Sequence, residues 1–216
     1  MHQIAKFQEN CLKAQHDHIR RNPLATVVSL GSEGLVGNHF PLILTDTKRG
    51  KGMLQGHMAR ANPLWRDFDQ TIDVLTIFPG IQQYITPTYY ASKAEHEKVV
   101  PTWNYTVVHA SGPLRIIQDK GWILKHLGEL TDNHEKENEV PWSIDDAPRN
   151  FIDSQLKGIV GFEIPIKKIS GAMKLSQNKN EADTVGIVRG LHAEGSDCGR
   201  DMAEIIERNL RVRSDI

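Results

Sequence analysis

Four segments of this chain set polar side chains beside neighbours that would order them. They are Asn38-His39-Phe40-Pro41, the run GHMARANP from Gly56 to Pro63, Pro101-Thr102-Trp103-Asn104-Tyr105, and Lys174-Leu175-Ser176-Gln177-Asn178. In the second, Gly56-His57 lies at the end of a strand pattern and Arg60 near the start of a helical one. Unpaired backbone N–H groups and a guanidinium would meet there, an arrangement that favours phosphate. An ordinary strand-to-helix cap accounts for the same residues. Trp103 and Tyr105 offer faces to a planar ring, and Asn104 offers a donor and an acceptor to a pyrimidine edge. Core packing of alternate strand residues is the favoured reading of the two aromatics from residue type alone. Lys174, Ser176, Gln177 and Asn178 would either reach polar ligand atoms or form a solvated loop.

Other chemistries find less support. Of ten histidines, His16 and His18 belong to no HExxH or Cys/His pattern, and positions two apart on a helix point away from each other. Both are expected at the surface, as are His126 and His134, and no metal site is expected. Ser29, Ser111 and Cys11 show no nucleophile elbow and no companion acid and base, so hydrolysis has no sequence argument. Cys11 and Cys198 sit near opposite ends of the chain, without the spacing of a zinc site or the density of a disulfide scaffold, which points to a reducing compartment.

The elements that would carry the four segments emerge from periodicity. A helix over residues 7 to 21 ends at Asn22-Pro23, because the residue before proline avoids the helical region. Residues 24–30 and 35–44 read as a hairpin around Gly31-Ser-Glu-Gly34, followed by a charged turn over 48–52 and a short strand over 53–56. Asn62-Pro63 opens a helical turn, and residues 71–78 alternate as a strong strand. Residues 104–108 run into 109–117 with a bend or bulge at Gly112-Pro113. Helices are expected over 119–138 and 147–157, a last long strand over 159–169, and an amphipathic helix over 201–210. Short strands with hairpin signals, and helices that do not alternate strictly with them, favour a mainly β (α+β) antiparallel barrel with peripheral helices. No GxGxxG succeeds the first strand, so a Rossmann fold is disfavoured.

The 216 residues suffice for one domain. It is read as a barrel over 1–170, with a helical excursion at about 119–157, completed by a C-terminal loop and helix over 171–216. Lys and Arg total 26 against 27 Asp and Glu, a formal charge of −1, so no global basic field exists to hold nucleic acid. No run of about 20 apolar residues would span a bilayer, and the N-terminal stretch lacks an apolar signal core, so a cytoplasmic protein is expected.

Taken together and in this order, the segments resemble the PaiB family of FMN-binding transcriptional regulators. The likeness runs over roughly residues 20 to 180. It is carried by GHMARANP, by Tyr84-Ile-Thr-Pro87 with Tyr89-Tyr90, by VPTWNY at 100–105 continuing to His109, and by KLSQN at 174–178. The resemblance implies an antiparallel flavin-reductase-like split barrel and a homodimer that forms its FMN pocket jointly. It implies His57, Arg60 and Lys174 on the phosphate side, with Asn38, His39, Trp103, Asn104, Ser176 and Gln177 around the ribityl chain or isoalloxazine. The family name implies negative regulation of transcription, yet no helix-turn-helix is legible. The arginines between Arg200 and Arg213 are offset by Asp201, Glu204, Glu207 and Asp215, so DNA contact is the minority reading. The alternatives are a flavin-dependent oxidoreductase of the NAD(P)H:flavin or pyridoxamine-phosphate-oxidase kind, a haem-binding relative, and a scaffold with an empty pocket.

Overall fold

The hairpin forms where turn chemistry and β-branched residues demand it. Strands β2 (Leu24–Gly31) and β3 (Gly34–Pro41) pair antiparallel from Leu24↔Pro41 to Gly31↔Gly34. Gly34 takes φ +118°, a value open to a residue without Cβ. Asp67 fixes the turn: its carboxylate accepts from the Ser32 backbone N–H and hydroxyl, both at 2.9 Å. The computed structural model describes residues 1–2, 4–47 and 50–214. The turn expected over 48–52 therefore falls partly outside the described residues, as does Asp215.

The chain forms two compact units. One comprises Ile19–Phe78 and His109–Ile169. Here β2 lies between β3 and the first part of β6 (Val74–Ile85), with Val27 opposite Thr76. A second antiparallel sheet has β4 (Ile43–Thr45), β5 (Met53–Ala59), β9 (Ile159–Pro165) and β8 (Arg115–Ile117) in the order β4-β5-β9-β8. A Cβ on Gly56 would stand 2.6 Å from both Leu42 and Phe162. The bare glycine is what admits the Phe162 ring, which meets Phe40 edge to face at 5.2 Å. Helices α3 (Lys120–Glu135) and α4 (Arg149–Lys157) bury Ile123, Ile152 and Leu156 against one another.

The other unit comprises Met1–His18, Pro79–Val108 and the chain from Ser170 onward. It holds the second part of β6, most of β7 (Thr102–Gly112), most of β10 (Lys168–Lys174) and the short β1 (Gln8–Glu9), in the order β1-β10-β7-β6. Helices α5 (Glu181–Glu194) and α6 (Asp197–Ser214) close its core with Ile187, Leu191, Met202 and Ile206 around Ile85 and Tyr90. Gly186 and Gly190, one helical turn apart, leave room for Tyr89: a Cβ on Gly190 would overlap its ring. The Tyr89 hydroxyl then donates to Glu194 at 3.1 Å. Buried Asp183 accepts from the Ser92 backbone N–H and hydroxyl at 2.9 Å each, tying α5 to the short helix α2 (Lys93–His96).

The antiparallel, mainly β reading with helices stands, with particular corrections. The strand expected over 159–169 is two strands in different sheets, broken after Pro165, which has no N–H to continue a ladder. The strand expected over 71–78 is β6, which runs on to Ile85. Helix α1 is Leu12–Arg21, preceded by a 3-10 turn and β1, and α5 was not expected at all. His16, His18 and His126 are buried, not at the surface. The buried residues of α1 are Gln15, His16, His18 and Ile19, too wide a face for the spacing argument. Bare Gly80 makes the space that His18 and Thr106 occupy.

Asp183→Ala should cost about 2 kcal/mol, because two charge-assisted bonds go and Ser92 is left with buried donors. Gly190→Ala should also destabilise, although alanine gains about 1 kcal/mol of helix propensity. Urea midpoints with unchanged slopes would check both.

Candidate functional site

In the unit that contains β7 and β10, the aromatics invert the expected pattern. Trp103 is 54% and Tyr105 38% exposed, whereas Asn104 is fully buried and Thr106 nearly so. Core packing of the two rings is thereby overturned: the strand turns its polar residues inward and its rings out. The cause is a polar rung between β7 and the KLSQN segment. The Asn104 side-chain amide donates to Ser176 Oγ at 2.9 Å, and the Ser176 hydroxyl lies 3.1 Å from Asn104 Oδ1. Two residues along each segment, Lys174 Nζ donates to Thr102 Oγ1 at 2.5 Å.

The turn after β10 is not a loose solvated loop. Ser176 holds φ +62° and is buried, a conformation that non-glycine residues adopt only when their surroundings impose it. Gln177 imposes it by accepting from the Leu175 N–H at 2.7 Å and donating to the Met173 carbonyl. Lys174 emerges beside Phe7, its ammonium 6.0 Å from the ring centre. Burial lowers the Lys174 pKa from the ordinary lysine value. With Tyr105, Phe7, Ala172, Ile4 and His2 it lines a cavity of about 150 Å³. Trp103 meets Tyr84 edge to face at 5.9 Å. This group offers a cation and aromatic faces. Asn104, Ser176 and Gln177 hold it in place, their polar atoms already engaged with one another and with the backbone.

The other unit carries the remaining expected residues. β5 and β9 face each other with Gln55 opposite Glu163 and His57 opposite Gly161. A Cβ on Gly161 would lie within 2.8 Å of the Trp122 ring, so the glycine lets α3 lay that ring on the sheet. Asp119 starts α3 by accepting from the Trp122 N–H at 2.7 Å. The indole N–H donates to Glu163 at 3.2 Å, and Gln55 donates to the same carboxylate at 2.9 Å. One turn along α3, His126 stacks on Trp122 with centroids 5.3 Å apart and planes 16° apart. Its Nε2 lies 3.3 Å from His57 Nδ1. Burial, and secondarily His57, lower the His126 pKa to about 4; burial also lowers that of His57.

Arg60 does not stand at a helix start. β5 runs to Ala59, and beyond it the chain makes a single 3-10 turn, Pro63–Trp65, capped by Asn62. Arg60 Nε and Nη2 donate to the carbonyls of Lys157 and Ile159 at 3.0 and 3.1 Å, and Nη1 to Gln118 at 3.2 Å. Asn62 Nδ2 donates to Asn38 Oδ1 at 2.8 Å, and exposed His39 sits 3.1 Å from Thr26 Oγ1. Asn38, Arg60 and Asn62 thus brace the ends of β3, β5 and β9. The contributions of His126, Trp122 and Phe7 were missed by sequence reasoning. The i, i+4 spacing of Trp122 and His126 was the available signal.

Comparison with known proteins agrees with this architecture. Residues 1–168 match a family described as "Putative FMN-binding domain". A Bacillus subtilis protein, "Protease synthase and sporulation protein PAI 2", is 34% identical over 193 residues, covering 89% of this chain and 90% of the relative. Among solved structures, the FAD and heme binding protein from Mycobacterium smegmatis superposes with TM-score 0.56 at 13% identity, over 82% of this chain and 78% of that one. The flavocytochrome from Azotobacter vinelandii does so with TM-score 0.54 at 14% identity, over 83% and 75%. At such identities the likeness concerns the fold, the antiparallel split barrel.

The buried His126 makes stability depend on pH. An unfolded histidine takes a proton near 6.5, the folded one only near 4, so stability present above 6.5 is lost as pH falls between those values. The loss should be on the order of 2 kcal/mol once solvent screening is allowed for. His126→Gln should remove that part of the slope in urea unfolding measured at pH 7.5 and 5.

Proposed function

The chain belongs to the PaiB-like FMN-binding-domain family, and on that footing we propose that it binds FMN as a homodimer and regulates transcription. The observation that carries the flavin reading is the inversion of β7, with Trp103 and Tyr105 facing out over a rung of buried Asn104 and Ser176. A soluble strand gains nothing by exposing two rings unless something planar or apolar covers them.

In this reading Lys174 takes the phosphate side and Trp103 the ring, while Asn104, Ser176 and Gln177 act through the turn they build. Within the other unit, His57 and Arg60 are assigned to the phosphate side, and Asn38 and His39 to the ribityl chain or ring. Arg60 would give up or share a carbonyl contact to do so. A second copy is supported by β3, an edge strand that exposes Leu35 and Val36; edge strands with apolar residues ordinarily need covering. Regulation rests on family membership. On α6, Asp197, Asp201, Glu204 and Glu207 lie among Arg200, Arg208 and Arg211, so direct DNA contact by this helix is not favoured. Among the described residues no helix is long and apolar enough to cross a membrane.

Titrating the flavin-free protein with FMN, while light scattering reports its mass, should give saturable binding to a dimer. Lys174→Met should weaken FMN by about tenfold or more and leave riboflavin, which lacks the phosphate, nearly unaffected. Absence of FMN binding by the folded protein would remove the proposal. Equal losses for FMN and riboflavin would take Lys174 off the phosphate. Turnover of NADH or NADPH in the same samples would instead favour the oxidoreductase.

A further inference from the structure

We infer that His126 is a positioning residue that holds His57 as a neutral imidazole with its proton on Nε2, so that His57 presents a hydrogen-bond donor to a ligand oxygen. The inference rests on the reading above only in its last clause, which takes that oxygen to belong to the flavin's phosphate.

The geometry leaves few choices. His126 is 2% exposed, and its Nδ1 is buried without a hydrogen-bond partner among the described residues. Its other nitrogen, Nε2, faces His57 Nδ1 at 3.3 Å, and one proton lies between them. If that proton belonged to His57, the proton of neutral His126 would sit on Nδ1, stranding a buried N–H, which folded proteins rarely tolerate. If it belongs to His126, the stranded atom is a bare ring nitrogen, and His57 must carry its own proton on Nε2. Both rings then hold the tautomer that free imidazole side chains prefer. A half-turn of the His126 ring would keep its stack on Trp122, whose indole Glu163 holds, but would turn a ring carbon toward His57 Nδ1 and give up the bond between the two imidazoles.

The charges around the pair agree with neutral rings. On α3, Lys125 and Glu129 line the 140 Å³ cavity beside His126 and pair with each other at 3.6 Å. On β9, Glu163 is engaged by Gln55 and Trp122. Neither carboxylate is bonded to either imidazole among the described residues, so nothing there rewards a protonated ring. Among these residues His57 Nε2 has no partner, which leaves its proton for a ligand.

The test is a long-range proton–nitrogen correlation spectrum of the imidazoles in the flavin-free, full-length protein, with His57 and His126 assigned by substitution. His57 should show a bare, hydrogen-bonded Nδ1 and a protonated Nε2 at pH 7. His126→Gln, whose side-chain amide can stand in for Nε2, should preserve that pattern. His126→Leu should give His57 a mixed tautomer that charges nearer pH 6.5, and should weaken FMN about fivefold, with a new pH dependence between 5.5 and 7.5. A protonated Nδ1 on His57, a charged His57 at pH 7, or a pattern unmoved by His126→Leu would overturn the assignment. The wild-type spectrum and His126→Gln decide the matter if His126→Leu does not fold. Failure of the wild-type protein to bind FMN would remove the flavin reading and leave the tautomer question answered by the spectra alone.

Discussion

A side-chain amide sealed from water must find its partners inside the protein, and Asn104 finds them in one hydroxyl. Its bond to Ser176 sets which way β7 faces: with Asn104 and Thr106 inward, Trp103 and Tyr105 have no choice but to face out. The same bond requires Ser176 to sit where the chain turns at φ +62°. That conformation costs on the order of 1 kcal/mol or more. It is offset locally, because Gln177 closes the turn through two backbone bonds and Asn104 satisfies the hydroxyl. Lys174 then leaves the sheet one rung away, anchored on Thr102 and partly stripped of water.

The other unit solves a related problem by omission. Two large rings, Phe162 on one face and Trp122 on the other, need the space a Cβ would take at Gly56 and at Gly161. These glycines are adjacent in register to His57 and Phe162 on the paired strands β5 and β9. The sheet is thinned where the imidazole pair and its indole lie, and α3 comes close enough for His126 to reach His57. A side chain at Gly161 would push the Trp122 ring outward and dismantle the polar stripe, whereas one at Gly56 would displace Phe162 on the opposite face.

Much of this was legible in the residues, and the limits have physical causes. The β2–β3 hairpin followed from turn residues between β-branched runs, and the break at Gly112-Pro113 from the chemistry of those two residues. The four polar segments were singled out by residue type, but the bonds within them were not legible. Period-two alternation says which residues share a face, not which face is wet, and for β7 only the buried Asn104–Ser176 bond decides that. The histidines failed for the complementary reason. Spacing along α1 or α3 describes one helix, whereas burial of His18 and His126 depends on Gly80 and Gly161, far away in sequence. Helix α5 escaped notice because its two glycines weaken helix propensity while serving the packing of Tyr89.

The polar residues of these segments also bear on how charge is handled. With a net charge of −1, the protein offers an anion no general field, so recognition of a phosphate must be local and built from bonds. Under the proposed assignments the lysine is partly desolvated and held on a hydroxyl, the arginine is wedded to backbone carbonyls, and burial lowers the pKa of half-buried His57. Each of these groups is fixed in place before any ligand arrives. A long, solvated cation would gain more Coulomb energy but lose side-chain entropy on binding. Anchored donors discriminate by geometry: within one unit Asn104, Ser176 and Gln177 carry that of Lys174, and within the other Trp122 and His126 carry that of His57.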